Sequence, residues 1–264
     1  MNPKEETNKA NRKLGELGSK KHKSPQDWIE YWGYKPRVDL IIRSLGSDGK
    51  SYRAIAWVEG GEVRVFKTPS ISDTTVNLCI GAMENTLREF GLFNRIEIEY
   101  YGPHSSALKE INLSIDERGR LDIEKLSRIL VAEDYRNPRK GGKPHADVII
   151  TDKYLSYGGR PQDMNWGSSN CLTGCMVLSL PGRRKHAYEF LPKITQHETT
   201  HLLGYNIHHD TVRVNEYNND INCNMNWEAS TLFTCPKCKN AVKSYWRGID
   251  TYKQLIRELY KFEY

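Results

Sequence analysis

The chain has 264 residues, 38% of them hydrophobic, and a formal charge of +6 from 39 Lys and Arg against 33 Asp and Glu. That length can bury a sizeable core as one large domain or as a domain with extensions, and the low mean hydropathy of −0.68 calls for long polar tails or loops. The mild positive balance does not by itself imply nucleic acid, and no stretch approaches the roughly 18 apolar residues of a membrane span.

Residues 1–25 are rich in Lys, Asn, Glu and Gly and lack apolar periodicity, which predicts a disordered basic tail. The same stretch has no apolar segment of the kind a secretory signal needs, so a cytoplasmic location is expected. From residue 26 to 204 the pattern predicts an N-terminal α/β subdomain. Val38–Leu45, Tyr52–Val58 and Val63–Phe66 read as strands, with Gly60-Gly61 as a turn. Asp73–Phe90 has apolar residues at helical spacing, closed by Gly91 as a C-cap. Arg95–Tyr101 alternates as a strand does, and Leu121–Val131 reads as an amphipathic helix with Asp122 near its start. Pro138–Lys143 is a basic loop, Ala146–Thr151 a buried strand, and Gly158–Ser169 a polar surface loop. Cys175–Leu180 reads as another strand, placed as an edge strand above a cleft, and Phe190–Leu203 as a helix. Residues 205–264 read as an irregular C-terminal subdomain ending in a helix over Ile249–Phe262. Alternating strands and helices through 38–204 predict an α/β (α+β) fold with a mixed sheet. So short and polar a C-terminal part needs a staple, for which a metal is suited.

The helix over Phe190–Leu203 carries His197-Glu198-Thr199-Thr200-His201, followed by Leu202-Leu203-Gly204 and then His208-His209. Histidines four apart share one helix face, so both imidazoles can grip a single metal. The glutamate between them sits beside that metal and can take a proton from bound water. Gly204 permits a sharp left-handed exit, which returns the chain to the same metal. In the pattern HExxHxxGxxH the third histidine comes three residues after glycine. Ile207 holds that position here and cannot ligate; His208, one further on, is the favoured third ligand. Asn215-Glu216-Tyr217-Asn218-Asn219-Asp220 offers a competitor, because it resembles an NExxxD segment whose Glu completes a His2Glu site.

The six cysteines include Cys235-Pro236-Lys237-Cys238, a knuckle whose two thiolates can face one metal, preceded by Cys223-Asn224-Met225. Cys171 and Cys175 are spaced for a further pair but read as structural thiols, and Cys79 reads as core.

Together, HExxHxxG, a His followed by another ligand, Cys-x-Met and CxxC resemble the archaemetzincins, a family of the metzincin clan. The resemblance covers about 190–240, and the order of elements over 146–190 is similar. It implies a metzincin-like mixed sheet with an active-site helix, peptidase activity and two zinc ions. On its pattern His197, His201 and His208 hold a catalytic zinc, with Glu198 as general base for a zinc-activated water. A structural zinc then sits on Cys223, Cys235 and Cys238, with His209 standing where the family has a Cys, and Met225 forms the Met-turn. The Gly204-to-His208 spacing is one residue longer than the family's, and the reversed assignment, with His209 on the catalytic zinc, stays open. The expected partner is a peptide or protein substrate, with neither membrane nor nucleic acid. The rival reading is a non-catalytic zinc scaffold or nucleic-acid module using the basic tail, Arg139–Lys143 and Arg183-Arg184-Lys185.

Overall fold

The structure, a computed structural model, describes residues 3–20, 23–44, 61–103, 105–131, 145–162, 166–171, 173–183, 187–208, 222–226 and 232–262. Its centre is a five-stranded mixed sheet. In chain order the strands are β1 (Gly61–Lys67), β2 (Ile96–Gly102), β4 (Ala146–Thr151), β7 (Gly167–Asn170) and β8 (Cys175–Ser179), arranged β2-β1-β4-β8-β7. Four strands are parallel, and only β7 runs antiparallel, against β8. A smaller sheet joins β3 (Leu121–Asp122), β5 (Leu155–Tyr157) and β6 (Arg160–Pro161).

Parallel neighbours need a crossover, and β1 reaches β2 through α3 (Asp73–Phe90). The Ser72 side chain caps the backbone N–H of Thr75, and Gly91 ends the helix at φ 74°. Val76, Cys79, Met83, Leu87 and Phe90 recur at helical spacing and are buried. Every residue of β4 is buried, as a central parallel strand covered on both faces requires. Val63, Val65, Val148, Ile150, Met176 and Leu178 face one core, while Phe66, Ile149 and Val177 face the other. The second core is closed by α4 (Ser105–Leu113) and α5 (Ile123–Val131) through Ile111, Leu126 and Leu130. On the first side lie α6 (Ala187–Leu202) and α7 (Pro236–Phe262).

Several expectations are corrected. Most of the stretch expected as a disordered tail is α1 (Pro3–Ser19), with Ala10 and Leu17 buried against α2 (Pro25–Ser44). Ala10 and Leu17 lie seven apart, on one helical face, too thin a stripe to read from composition. Val38–Ser44, expected as strand, continues α2 past Pro36; a short apolar run does not distinguish strand from helix. The expected strand at 52–58 lies outside the described residues. Within the expected 158–169 loop are β6 and β7, and it is β7 that forms the sheet edge. Cys175–Ser179 is therefore interior, between β4 and β7. The C-terminal part is not irregular throughout, because α7 starts at Pro236 and runs for 27 residues. It packs along α2 so closely that a Cβ on Gly248 would lie 2.2 Å from the Gly33 carbonyl oxygen. Among the described residues, no helix is long and apolar enough to cross a membrane.

Candidate metal centres

α6 packs Leu191 and Leu202 into the core and turns His197 and His201 toward a common point. The Thr199 and Thr200 hydroxyls, which would otherwise be orphaned in this buried helix, donate to the Thr195 and Gln196 carbonyls at 2.6 and 2.8 Å. The helix ends in a Schellman arrangement, with Tyr205 N–H on the Thr200 carbonyl and Gly204 N–H on the His201 carbonyl. Gly204 adopts φ +106°, and a Cβ there would also lie 2.4 Å from the Tyr245 ring. Backbone conformation and neighbouring ring both demand glycine.

The turn brings His208 back to the helix. Its Nε2 lies 2.9 Å from that of His201 and 3.1 Å from that of His197, and the latter two are 3.1 Å apart. Nitrogens bound at zinc's usual distance and tetrahedral angle stand roughly 3.3 Å apart, so the triangle fits such an ion with little adjustment. The other ring nitrogens support this. His197 Nδ1 faces the Asn224 carbonyl at 2.9 Å and His201 Nδ1 the Tyr205 carbonyl at 2.7 Å. A carbonyl only accepts, so each Nδ1 carries the proton and each Nε2 presents a lone pair. Burial depresses the pKa of His197 to about 4 and of His201 to about 3, which keeps both rings neutral. Lone pairs so close together repel unless a cation lies among them.

Glu198 follows His197 and is only 2% exposed. The Ser169 hydroxyl, on β7, stands 2.9 Å from its Oε2 and 2.7 Å from its carbonyl oxygen. Gly167, two residues earlier, makes room for it: a Cβ there would lie 2.6 Å from Glu198 Cγ. Burial raises the carboxyl's pKa, the Ser169 hydrogen bond opposes that rise, and the balance is about 7. A carboxyl held near neutrality suits proton transfer. The sequence pattern puts Gly167 and Ser169 in a polar surface loop. Nothing in their neighbourhood along the chain announces a contact made 29 residues away.

Cys223, Cys235 and Cys238 form a second cluster, all buried and none in a disulfide. Cys238 Sγ lies 3.8 Å from that of Cys223 and 3.5 Å from that of Cys235, close to the roughly 3.8 Å expected between thiolates on a tetrahedral zinc. Cys235 precedes α7 and receives Lys239 N–H on its carbonyl, with Pro236 at the first helical position. That places Cys238 in the first turn. Cys223 enters from a tight turn closed by Asn226 N–H on its carbonyl, and fully buried Met225 lies within that turn. Hydrogen bonding with the neighbouring sulfurs, together with burial, holds the Cys238 thiol far above the usual thiol range, so a cation must displace its proton to bind there.

His209 and the Asn215–Asp220 competitor lie outside the described residues. Cys171 and Cys175 join neither cluster, and Cys79 is buried in α3, its thiol pushed up to about 12 by burial.

No protein-family model matches the chain, and no curated protein does. Among solved structures, a zinc-dependent peptidase from Methanocorpusculum labreanum (strain Z) is similar at 15% identity and a TM-score of 0.46, over 68% of this chain and 99% of that one.

Proposed function

We propose that this chain is a zinc-dependent peptidase of archaemetzincin type. One zinc is held by His197, His201 and His208, and a second by Cys223, Cys235, Cys238 and His209. The observation that carries the reading is the convergence of the three Nε2 atoms beside the Glu198-bearing turn of helix, with His197 and His201 each fixed through Nδ1 by a backbone carbonyl.

When bound, the first zinc supplies a Lewis acid that acidifies water and polarises a carbonyl. Glu198 takes the proton from the attacking water and delivers it to the leaving amine, and its raised pKa matches both tasks near neutral pH. Ser169 restrains the carboxylate from one side while Gly167 leaves it room. Because β7 is the outer strand of the sheet and packs against α6, an extended peptide adding to that edge would run alongside Glu198.

The test is cleavage of an unfolded protein such as casein by the zinc-loaded chain. Activity should vanish when a chelator strips the histidine centre and return when zinc is restored. Cleavage that persists in protein shown to hold no metal would sink the reading. So would salt-dependent nucleic-acid binding with no peptidase activity, which fits the non-catalytic module instead.

A further inference from the structure

Glu89 stands in the last turn of α3, outside both ligand motifs. For α3 itself a carboxylate is misplaced there, because the C-terminal end of a helix dipole favours a cation, as at Arg88. The side chain is committed to other segments. Its Oε2 accepts from Gln196 Nε2 at 2.9 Å and from the Thr234 hydroxyl at 3.1 Å, and its Oε1 takes Lys239 Nζ at 2.8 Å. Each partner adjoins a ligand along the chain: Gln196 precedes His197, Thr234 precedes Cys235 and Lys239 follows Cys238. Gln196 and Thr234 are both buried.

These bonds close a circuit. His197 Nδ1 donates to the Asn224 carbonyl at 2.9 Å, and Asn224 N–H donates to the Phe233 carbonyl at 2.6 Å. Phe233 leads along the chain to Thr234, and Thr234 leads through Glu89 to Gln196 and back to His197. Neighbouring residues on a helix point about 100° apart. Holding Gln196 therefore sets the rotation of α6 about its axis, and with it the direction of His197.

We propose that Glu89 is a positioning residue that sets His197 as a metal ligand, by holding α6 in register against the turn that carries Asn224. The proposal rests on the two-centre reading above. Contacts outside the ligands fix their orientation and so govern metal affinity. The cysteine centre does not need this clamp. Cys235 and Cys238 share one knuckle, and Cys235 N–H reaches Cys223 Sγ at 3.3 Å. Loss of the clamp therefore reaches the histidine centre and spares the cysteine centre, which becomes an internal reference.

Glu89→Gln and Thr234→Val test this. Glu89→Gln keeps the shape but turns one accepting oxygen into a donor, so the side chain no longer accepts from both Lys239 and the Gln196–Thr234 pair. Thr234→Val removes the hydroxyl and keeps nearly the same outline. The full chain is loaded with Co2+ at both centres, and each centre is titrated against a chelator by its own absorption. Each variant should weaken the histidine centre about 10-fold, with the sulfur-to-cobalt absorption and the cysteine-centre affinity unchanged. The double variant should lose no more than Glu89→Gln alone, because residues acting through one clamp are non-additive. Leu87→Val, which trims the core on the same helix, should lower the melting temperature and leave both affinities at the wild-type value. A wild-type histidine-centre affinity in Glu89→Gln overturns the proposal. So does an equal loss in Leu87→Val, a loss at both centres, or losses that add in the double variant. Failure of the two-centre reading looks different: the wild-type chain would then show no cobalt–sulfur absorption at all.

Discussion

Glu198→Gln should leave the zinc content unchanged and lower peptide hydrolysis by about 10²- to 10⁴-fold, the range that general acid–base groups supply. The substitution changes little but the ionisable group. Glutamine occupies the same space under Gly167, and its carbonyl still accepts from Ser169. Glu198 is not among the converging metal-binding atoms, so the histidine triangle is untouched. A second readout follows from burial. In metal-free protein the folded carboxyl keeps its proton up to about 7, while the unfolded chain releases it near 4.5. The folded state therefore binds more protons between those values, and stability falls as pH rises through that window. Metal-free Glu198→Gln should melt at a higher temperature than wild type at pH 8 and gain nothing at pH 4. Wild-type turnover in the variant, measured with full zinc content, would remove Glu198 from the mechanism.

Cys238→Ser should reduce bound zinc from two ions per chain to one and destabilise the fold. Cys238 stands between the other two sulfurs at the start of α7, and the cluster ties that helix to the turn bearing the His197 acceptor. A site kept at 1,000 times its dissociation constant contributes about 4 kcal/mol to stability. That is a large part of the roughly 5–15 kcal/mol typical of a folded domain, and it corresponds to a loss of about 10 °C in melting temperature. Thermal denaturation in zinc buffer, with elemental analysis of the same samples, checks both parts. Two zinc ions and an unchanged melting temperature would show that the thiols hold no metal.

The chain announced some of this plainly. α3 was legible because its apolar positions keep helical spacing and Gly91 marks its end. β4 was legible because a short apolar run between polar segments suits a strand covered on both faces. The chemistry of the His197–Gly204 segment was visible because ligand spacing on a helix is local. Ile207 was set aside because isoleucine cannot ligate, which left His208 and His209; the structure brings the His208 ring to the pair, and His209 lies outside the described residues. What stayed hidden depends on distant partners. α1 and α2 look polar or ambiguous until Trp32 meets Tyr205 and Tyr245. β7 reads Gly-Ser-Ser-Asn, a sequence poor in strand formers, and becomes a strand by pairing with β8 beside α6. The same local silence concealed Gly167 and Ser169, whose role exists only once Glu198 is against them.

The proposed function requires two zinc centres side by side, one on imidazoles and one on thiolates. Anomalous diffraction on either side of the zinc absorption edge, from crystals of the full chain grown without added metal, tests it most directly. One peak is expected among the Nε2 atoms of His197, His201 and His208 and another among the sulfurs of Cys223, Cys235 and Cys238. Crystals that show the ordered histidine triangle with no zinc peak inside it would rule out a zinc peptidase.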